Sequence, residues 1–498
     1  MEKIIVFLAA AVFLLFCSLS FASVVPVENS IDWSFCGVPE NTAQQPVLYD
    51  IKKDFQAKGD GVADDSQALK DAILAAGGPG VIYIPEGTYL MKSPVTILKD
   101  GIILRGAGAD KTKLIFDLNG TNAGCITIMR EQSGEFVKIS SGLEKGSNKI
   151  TVENSPEFVK NSFAEIMQDN DPAVMYTKPQ WEQVWAKNVV GQFLKIIDIT
   201  GNVITFEEPL NMTYKAELNA RVRPASLIRR CSVESMALKR LDAGDANMIS
   251  FSYAAYGMVK WIESDTVMRS HVSVESSYRC EIRENYFHHA HDYGGGGHGY
   301  GVELKHRTSG CLVENNRFSH LRHSMMVHLG ANGNVFGYNY STDPFADGDH
   351  DPKTTVCDIS VHGHYPFMNL FESNTVQKIE VSDWWGPCGP NTFLRNRVEK
   401  EGIRVNDKSN NQNFLGNIIV QGDYGIEASG GTDATTLLNH GNMEYGEMTW
   451  DKNIKSTVIP ASLYLKKKPD FLKNAQWPLI GTDCKGRQKL PAELRMNK

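Results

Sequence analysis

CEIRENYF at 280–287, CLVENNRF at 311–318, NVFGYNYS at 334–341, NLFESNTV at 369–376, TFLRNRV at 392–398 and NFLGNII at 413–419 are variants of one short pattern. Asn285, Asn316, Asn339, Asn374, Asn396 and Asn417 fill the same slot in it, and the gaps between them are 31, 23, 35, 22 and 21 residues. A short base period with occasional insertions marks a solenoid. A gap of 21 or 22 residues suits a coil of three short strands and three turns, so the pattern predicts an all-β chain wound as a parallel β-helix. An asparagine amide can bond the asparagines above and below it, while its backbone tolerates a left-handed turn. The repeated asparagine therefore reads as a structural ladder rather than as chemistry.

Working outward, the repeat runs from Cys231 to about His440 and defines a main β-helix over 226–440. Residues 441–498 lose it, and Tyr464, Phe471 and Trp477 there can pack as a strap over the coils. Residues 125–225 also lack it; their alternating apolar and polar residues with turn glycines predict a β-rich insertion or long-loop coils. Residues 47–124 predict a cap and the first coils. Asp65 can cap a short helix whose Leu69, Ala72, Ile73 and Ala76 share one face, and strands follow near 81–85, 95–98 and 102–105. Residues 23–46 are a polar lead-in.

Within 47–124, DFQAKGDGVADDSQAL followed by GGPGVIYIPEGTY resembles the N-terminal signature of the pectate-lyase superfamily. The resemblance covers about fifty residues, Asp50 to Met91. It implies a small helix capping the end of a right-handed parallel β-helix, in a group that includes rhamnogalacturonase-like and polygalacturonase-like hydrolases, uronan lyases, epimerases and phage tailspikes. Gln56 stands where that group commonly has glycine, which predicts a somewhat different turn. No catalytic residue follows from the signature.

Composition sets outer limits. The chain of 498 residues is 42% hydrophobic and 22% charged, which excludes a mostly disordered protein. A net charge of −7 argues against a nucleic-acid partner. MEKIIVFLAAAVFLLFCSLSFAS reads as a signal peptide over 1–22: Lys3 leads an apolar run at 4–16 too short to span a bilayer, and Ser20 and Ala22 are the small residues before the cleavage point. The expected location is secreted or periplasmic, with no membrane partner after signal removal. Beyond Cys17 eight cysteines remain, an even number that permits disulfides in an exported chain. Cys231, Cys280 and Cys311 open similar strand patterns and read as stacked core residues.

Eleven of the thirteen histidines lie between 288 and 364, beside the large loops HHAHDYGGGGHGYG (288–301) and STDPFADGDHDPKTT (341–355). Insertions on a solenoid gather on one face and build its site. Period-two alternation then sorts the strands. With Val302, Leu304, Met325, Val327, Ile359, Val361, Ile379, Val381, Ile403 and Val405 facing in, the predicted groove wall is Glu303, Lys305, His323, His328, Asp358, His362, His364, Asp383 and Arg404.

Three uses of such a wall stand open. Elimination or epimerisation on an acidic polysaccharide needs a base, a proton donor and a group that neutralises the uronate carboxylate. Lys305, His323, His328, His362 or Arg404 could supply base and neutraliser. Glycoside hydrolysis needs two carboxyl groups about 5–9.5 Å apart, and Glu303, Asp358, Glu380 and Asp383 are candidates. A non-catalytic sugar-binding β-helix would stack rings on Trp384, Trp385, Tyr293 and Tyr300, with His291, His298 and His364 beside them. The excess of histidine over paired acids puts elimination first. Calcium, with oxygen ligands, could replace the neutralising side chain. Calcium at Asp347, Asp349 and Asp351, within DGDHD, is the one candidate ion that alternating carboxylates suggest, and His362, His364 and His350 form a lesser candidate set for a transition metal.

Overall fold

The computed structural model describes residues 24–39, 45–132, 134–154, 157–347 and 356–495. The segment read as a signal peptide lies outside them, as do Asp349, His350 and Asp351.

Successive short strands stack in parallel into long sheets. The sheet that carries the histidines has ten strands, from Val95–Ile97 through Ile126–Met129, Ile249–Ser252, Ser270–Glu275, Tyr300–Lys305, His323–Val327, Ile359–Val361, Ile379–Val381 and Ile403–Val405 to Ile426–Ala428. Each pairs in register with the next, as in Leu304 opposite Val327, Val327 opposite Val361 and Val361 opposite Val381. These apolar residues are fully buried, so period two holds through the strand centres. The interior also carries an aromatic file. Phe336, Phe371, Phe393 and Phe414 stack with ring centroids 5.0–5.1 Å apart.

The six asparagines do superpose. Each side-chain oxygen accepts from the side-chain amide of the asparagine one coil earlier, at 2.9–3.0 Å from Asn285 through Asn417, and the ladder ends at Asn442. One detail differs from the expectation. The left-handed residue is the one before the asparagine, namely Glu284, Asn315, Tyr338, Ser373, Arg395 and Gly416, at φ 54–60°. The asparagine itself spans the gap that the sharp corner opens, and its Nδ2 donates to a strand carbonyl, as Asn316 does to Ile282 at 2.8 Å. A second ladder, Asn334, Asn369, Asn391 and Gln412, lines another corner.

At the N-terminal end, helix Ser66–Ala75 buries Leu69, Ala72 and Ile73 against the first coils. Asp65 does not cap it with its side chain; the carboxylate accepts the backbone N–H groups of Lys58 and Gly59 and closes the preceding turn, while Asp64 takes the Ser66 N–H at 3.0 Å. Gln56 adopts the left-handed conformation (φ 61°) that glycine would supply, so the turn is kept despite the substitution.

The first coils reach Met129, past the expected boundary at 125, because Ile126–Met129 pairs with Ile249–Ser252. The strands of the insertion proper lie within 137–225 and form a closed antiparallel barrel. Its circuit runs Val137–Ser141, Lys149–Val152, Val203–Phe206, Gly191–Thr200, Phe163–Met167, Arg221–Ala225. Its core includes Leu329, Phe367 and Met368 from the coils. A buried ion triad also docks it: Glu165 takes Arg223 of the barrel at 2.7 Å and Arg307 of the β-helix at 2.9 Å. Residues 451–495 lie across the opposite side, where Tyr464 donates to Glu314 at 2.7 Å and Trp477 to the Tyr338 hydroxyl at 2.8 Å. All eight described cysteines are free thiols, and Cys231, Cys280 and Cys311 are in the core.

Candidate functional site

The ten-stranded sheet and the barrel enclose a groove with about 840 Å³ of open space. Glu303, Lys305, His323, His328, His362, Asp383, Trp384, Trp385, Tyr300 and Arg404 of the sequence-derived set line it. Register brings the central ones together. Pairing of Leu304, Val327 and Val361 sets Lys305, His328 and His362 side by side on three coils. Ser382 would be next, but it is left-handed (φ 60°) and turns its hydroxyl to the Gly386 carbonyl at 2.6 Å. The chain parity flips, and Asp383 faces His362 instead.

Two carboxylate–imidazole pairs result. His328 Nε2–H donates to Glu303 Oε1 at 3.0 Å, and His362 Nδ1–H donates to Asp383 Oδ1 at 2.7 Å. The two rings lie 6.0 Å apart, centroid to centroid. These partners fix the tautomers, leaving lone pairs on His328 Nδ1 and His362 Nε2. Glu303 Oε2 also takes Lys305 Nζ and Ser273 Oγ, both at 2.9 Å. Burial alone would push the Glu303 carboxyl up; Lys305 and His328 outweigh it and hold it well below the usual carboxylate range. Asp383 behaves alike: burial opposes its charge, and His362, His323 and Ser360 overcome it. Burial lowers His328 against the pull of Glu303.

The remaining walls are cationic and aromatic. Arg269, Arg322 and Lys378 join Lys305 and Arg404 on the lining. Arg404 is paired with Glu427 at 2.9 Å, and Lys378 bridges Glu380 and Glu401 at 3.1 and 3.2 Å. The Tyr300 ring lies 5.2 Å from that of His323, and the Arg322 guanidinium carbon is 6.0 Å from the Tyr300 ring centroid. His323 Nδ1–H donates to the Cys357 carbonyl at 2.8 Å, and burial lowers the imidazole to about 3. His323, Cys357 and Asp383 bring donor atoms within 4.8 Å of one another and could hold an ion.

Several expected site residues are placed elsewhere. Asp358 precedes its strand rather than projecting from it. Its buried carboxylate accepts the Gln377 and Lys378 backbone N–H groups at 2.7 and 3.0 Å, and burial pushes it up to about 6. His364 follows Gly363, where the chain has left the sheet; it is buried behind Trp385 and donates to the Trp181 carbonyl at 2.7 Å. His291 donates to the Arg240 carbonyl, and Tyr293 packs between His320 and Phe345, so neither reaches the groove. His298 pairs with Asp292 and Asp245 on a loop outside the lining. Asp347 is exposed and off the groove; its expected partners Asp349 and Asp351 lie outside the described residues.

The barrel supplies what sequence reasoning missed. Trp185 lines the groove, 5.3 Å from Trp385, and Trp181 lies 5.1 Å from Trp384. Trp181 is held by Asp407 through its indole N–H at 2.8 Å. Residues 172–186 carry no repeat, so nothing in their spacing told which face they reach.

Residues 50–171 match the family described as rhamnogalacturonase A/epimerase, pectate lyase-like, and residues 269–440 match the right-handed beta helix region. Mannuronan C5-epimerase AlgE4 of Azotobacter vinelandii is 40% identical over 92 residues, 17% of this chain and 16% of that protein. Alginate lyase 7 of the same organism is 36% identical over 91 residues, 17% of this chain and 10% of that protein. The chain thus spans about a sixth of the first relative's length and a tenth of the second's. The tailspike gp61 of Pseudomonas phage phi297 superposes with a TM-score of 0.53 at 13% identity, covering 76% of this chain and 72% of that one, a likeness of fold alone. Two separate regions of the chain thus match, one to the rhamnogalacturonase A/epimerase, pectate lyase-like family and one to the right-handed beta helix region, in keeping with the stacked parallel coils described above.

Proposed function

We propose that the protein is an exported enzyme that acts on an acidic polysaccharide, a polyuronate of the pectin or alginate kind, and cleaves it by β-elimination. The observation that carries this reading is the pair of carboxylate-anchored imidazoles side by side on the wall of a cationic groove. His362 Nε2 takes the proton at C5 of the uronate. The Asp383 carboxylate stabilises the imidazolium that forms. Arg322 or Lys305 neutralises the substrate carboxylate as negative charge develops on it. The electron pair then forms the C4–C5 double bond and expels the glycosidic oxygen, which takes the proton back from the His362 imidazolium and so restores the base.

Hydrolysis fits less well. It needs one carboxyl group protonated as general acid. Glu303 and Asp383 are both held ionised by histidine and lysine partners, and Glu380, the groove carboxyl that burial raises, is tied to Lys378 at 3.1 Å. Epimerisation shares the first step and differs only in where the proton returns, to C5 from the opposite face of the sugar. The partial similarity to a mannuronan C5-epimerase favours keeping it as the second reading. The test is incubation with polygalacturonate, rhamnogalacturonan and alginate in D2O, with and without a chelator. Ultraviolet-absorbing unsaturated products support elimination. Deuterium at C5 without such products supports epimerisation, and new reducing ends with neither support hydrolysis. The chelator arm also tests the candidate calcium.

A further inference from the structure

Away from the groove, a corner between two faces of the β-helix carries a second histidine cluster. Thr266, His289, His320 and Asp343 are all left-handed (φ 52, 59, 54 and 53°) and occupy the same corner on four successive coils. In an unbroken strand His288 and His289 would point to opposite faces. The left-handed corner breaks that alternation, and the rings converge with their Nδ1 atoms 2.8 Å apart. Asp265, directly opposite His288 on the preceding coil, brings Oδ1 to 3.5 Å from His288 Nδ1. Its carboxylate is oriented by Thr266 Oγ1 at 2.8 Å and Lys239 Nζ at 2.6 Å. On the far side of the ring, His288 Nε2 lies 3.4 Å from Glu263 Oε1.

We propose that Asp265, His288 and His289 form a site for a divalent transition-metal ion of the zinc class, clipping two neighbouring coils together. Their donor atoms all lie within 4.8 Å of one another. Zinc–nitrogen bonds of about 2.0–2.1 Å set two ligands roughly 2.9 Å apart at a right angle and roughly 3.4 Å apart at the tetrahedral angle. The observed separations of 2.8 and 3.5 Å correspond to those two edges. Glu263 Oε1, 3.4 Å from His288 Nε2, favours the proton on that nitrogen and so leaves the Nδ1 lone pair for the ion. Two imidazoles and one carboxylate oxygen suit zinc, cobalt, nickel or copper, whereas calcium and magnesium take oxygen sets. Water completes the coordination. None of these residues lines the groove, so the site is independent of the proposed reaction.

A simple N–H···N bond between two neutral imidazoles accounts for the 2.8 Å contact without an ion, and titration separates the two. Zinc and cobalt chlorides are titrated into the chelator-washed full chain by calorimetry, and the cobalt visible spectrum and the melting temperature are recorded. The expected result is one saturable ion, a raised melting temperature, and affinity reduced at least about tenfold in H288A, H289A and D265N. His289 is exposed, so H289A keeps the fold, which circular dichroism verifies. C357A, which breaks the donor set in the groove, should bind as the wild type does. No saturable ion, binding unchanged in H289A, or binding lost in C357A would each overturn the proposal.

Discussion

Replacing Asp383 with asparagine tests the proposed chemistry at the group that tunes the base. The amide is nearly isosteric and its oxygen can still accept from Ser360, 2.9 Å away in the wild type, and from His362, 2.7 Å away. What disappears is the charge that stabilises the imidazolium after His362 takes a proton. A hydrogen bond to a charged group contributes about 1.5–3 kcal/mol. Each 1.36 kcal/mol is about tenfold in rate, so D383N should lose about ten- to a hundredfold in kcat, with KM little changed. Removing the base itself, in H362A, should cost about 10²–10⁴-fold. Because the two act as one unit, their effects should not multiply, and D383N/H362A should be no slower than H362A. The assay is initial rate of unsaturated product from the best polyuronate, with deuterium exchange at C5 followed in parallel so that a switch to epimerisation is not mistaken for inactivity. If H362A keeps its rate to within threefold, or if the double variant shows the product of the two single losses, His362 is not the base and the assignment of the groove fails.

Stability predictions rest on the coils. Asn339 is fully buried; N339A strips the acceptor from the Asn316 backbone and side-chain N–H groups, at 2.9 and 3.0 Å, and the donor from the Val313 carbonyl. The bond from its amide to Asn374 Oδ1 goes too, so four buried hydrogen bonds are lost; at about 1–3 kcal/mol for each group left unsatisfied, the expected loss is about 3 kcal/mol or more, read from the urea midpoint at unchanged m. Glu372 tests burial of charge. Desolvation pushes it from 4.5 up to about 8, and its Oε1 has no hydrogen-bond partner. Its contribution is therefore fully present below pH 4.5 and is lost as pH rises through about 8. Asp358, raised to about 6 by burial, acts in the same direction at lower pH. E372Q should flatten the profile over that window and be more stable than wild type above pH 8 by a few kcal/mol, at about 1.4 kcal/mol per pKa unit; equal pH profiles for the two proteins would refute this. Finally, W185A removes an exposed aromatic wall whose stacking is worth about 0.5–1.5 kcal/mol. It should raise KM for polymer about two- to tenfold while leaving kcat near wild type, measured on chains long enough to reach the barrel.

The fold was legible because one residue type answered one geometric need on every coil. The corner requires a left-handed residue and then an amide able to bridge to the next coil, and Asn316, Asn339, Asn374, Asn396 and Asn417 satisfy it with apolar residues in register. The left-handed position itself was not legible: Glu284, Tyr338, Ser373 and Arg395 share no side-chain chemistry, since the conformation is imposed by stacking rather than chosen locally. The same imposition explains Gln56 at φ 61°, where the neighbouring cap holds a turn that the residue would not select alone.

The site was legible as a list of side chains and only in part as a set of pairs. Strand centres obey period two, so Glu303, Lys305, His328 and His362 were assigned to the groove by parity. Strand ends do not obey it. Asp358 turned inward before its strand began, His364 was carried behind the sheet after Gly363, and Asp383 gained the groove because left-handed Ser382 inverted the parity in its favour. Each of these residues lies one to three positions outside a three-residue strand, where a single corner decides the direction of everything after it. The aromatic wall was illegible for a different reason: Trp185 arrives from an insertion whose docking depends on the buried Arg307–Glu165 pair, a contact 142 residues apart in the chain. Alternation along a solenoid thus finds the proposed base and Lys305, while the aromatic wall is found only once the long-range docking of the barrel is known.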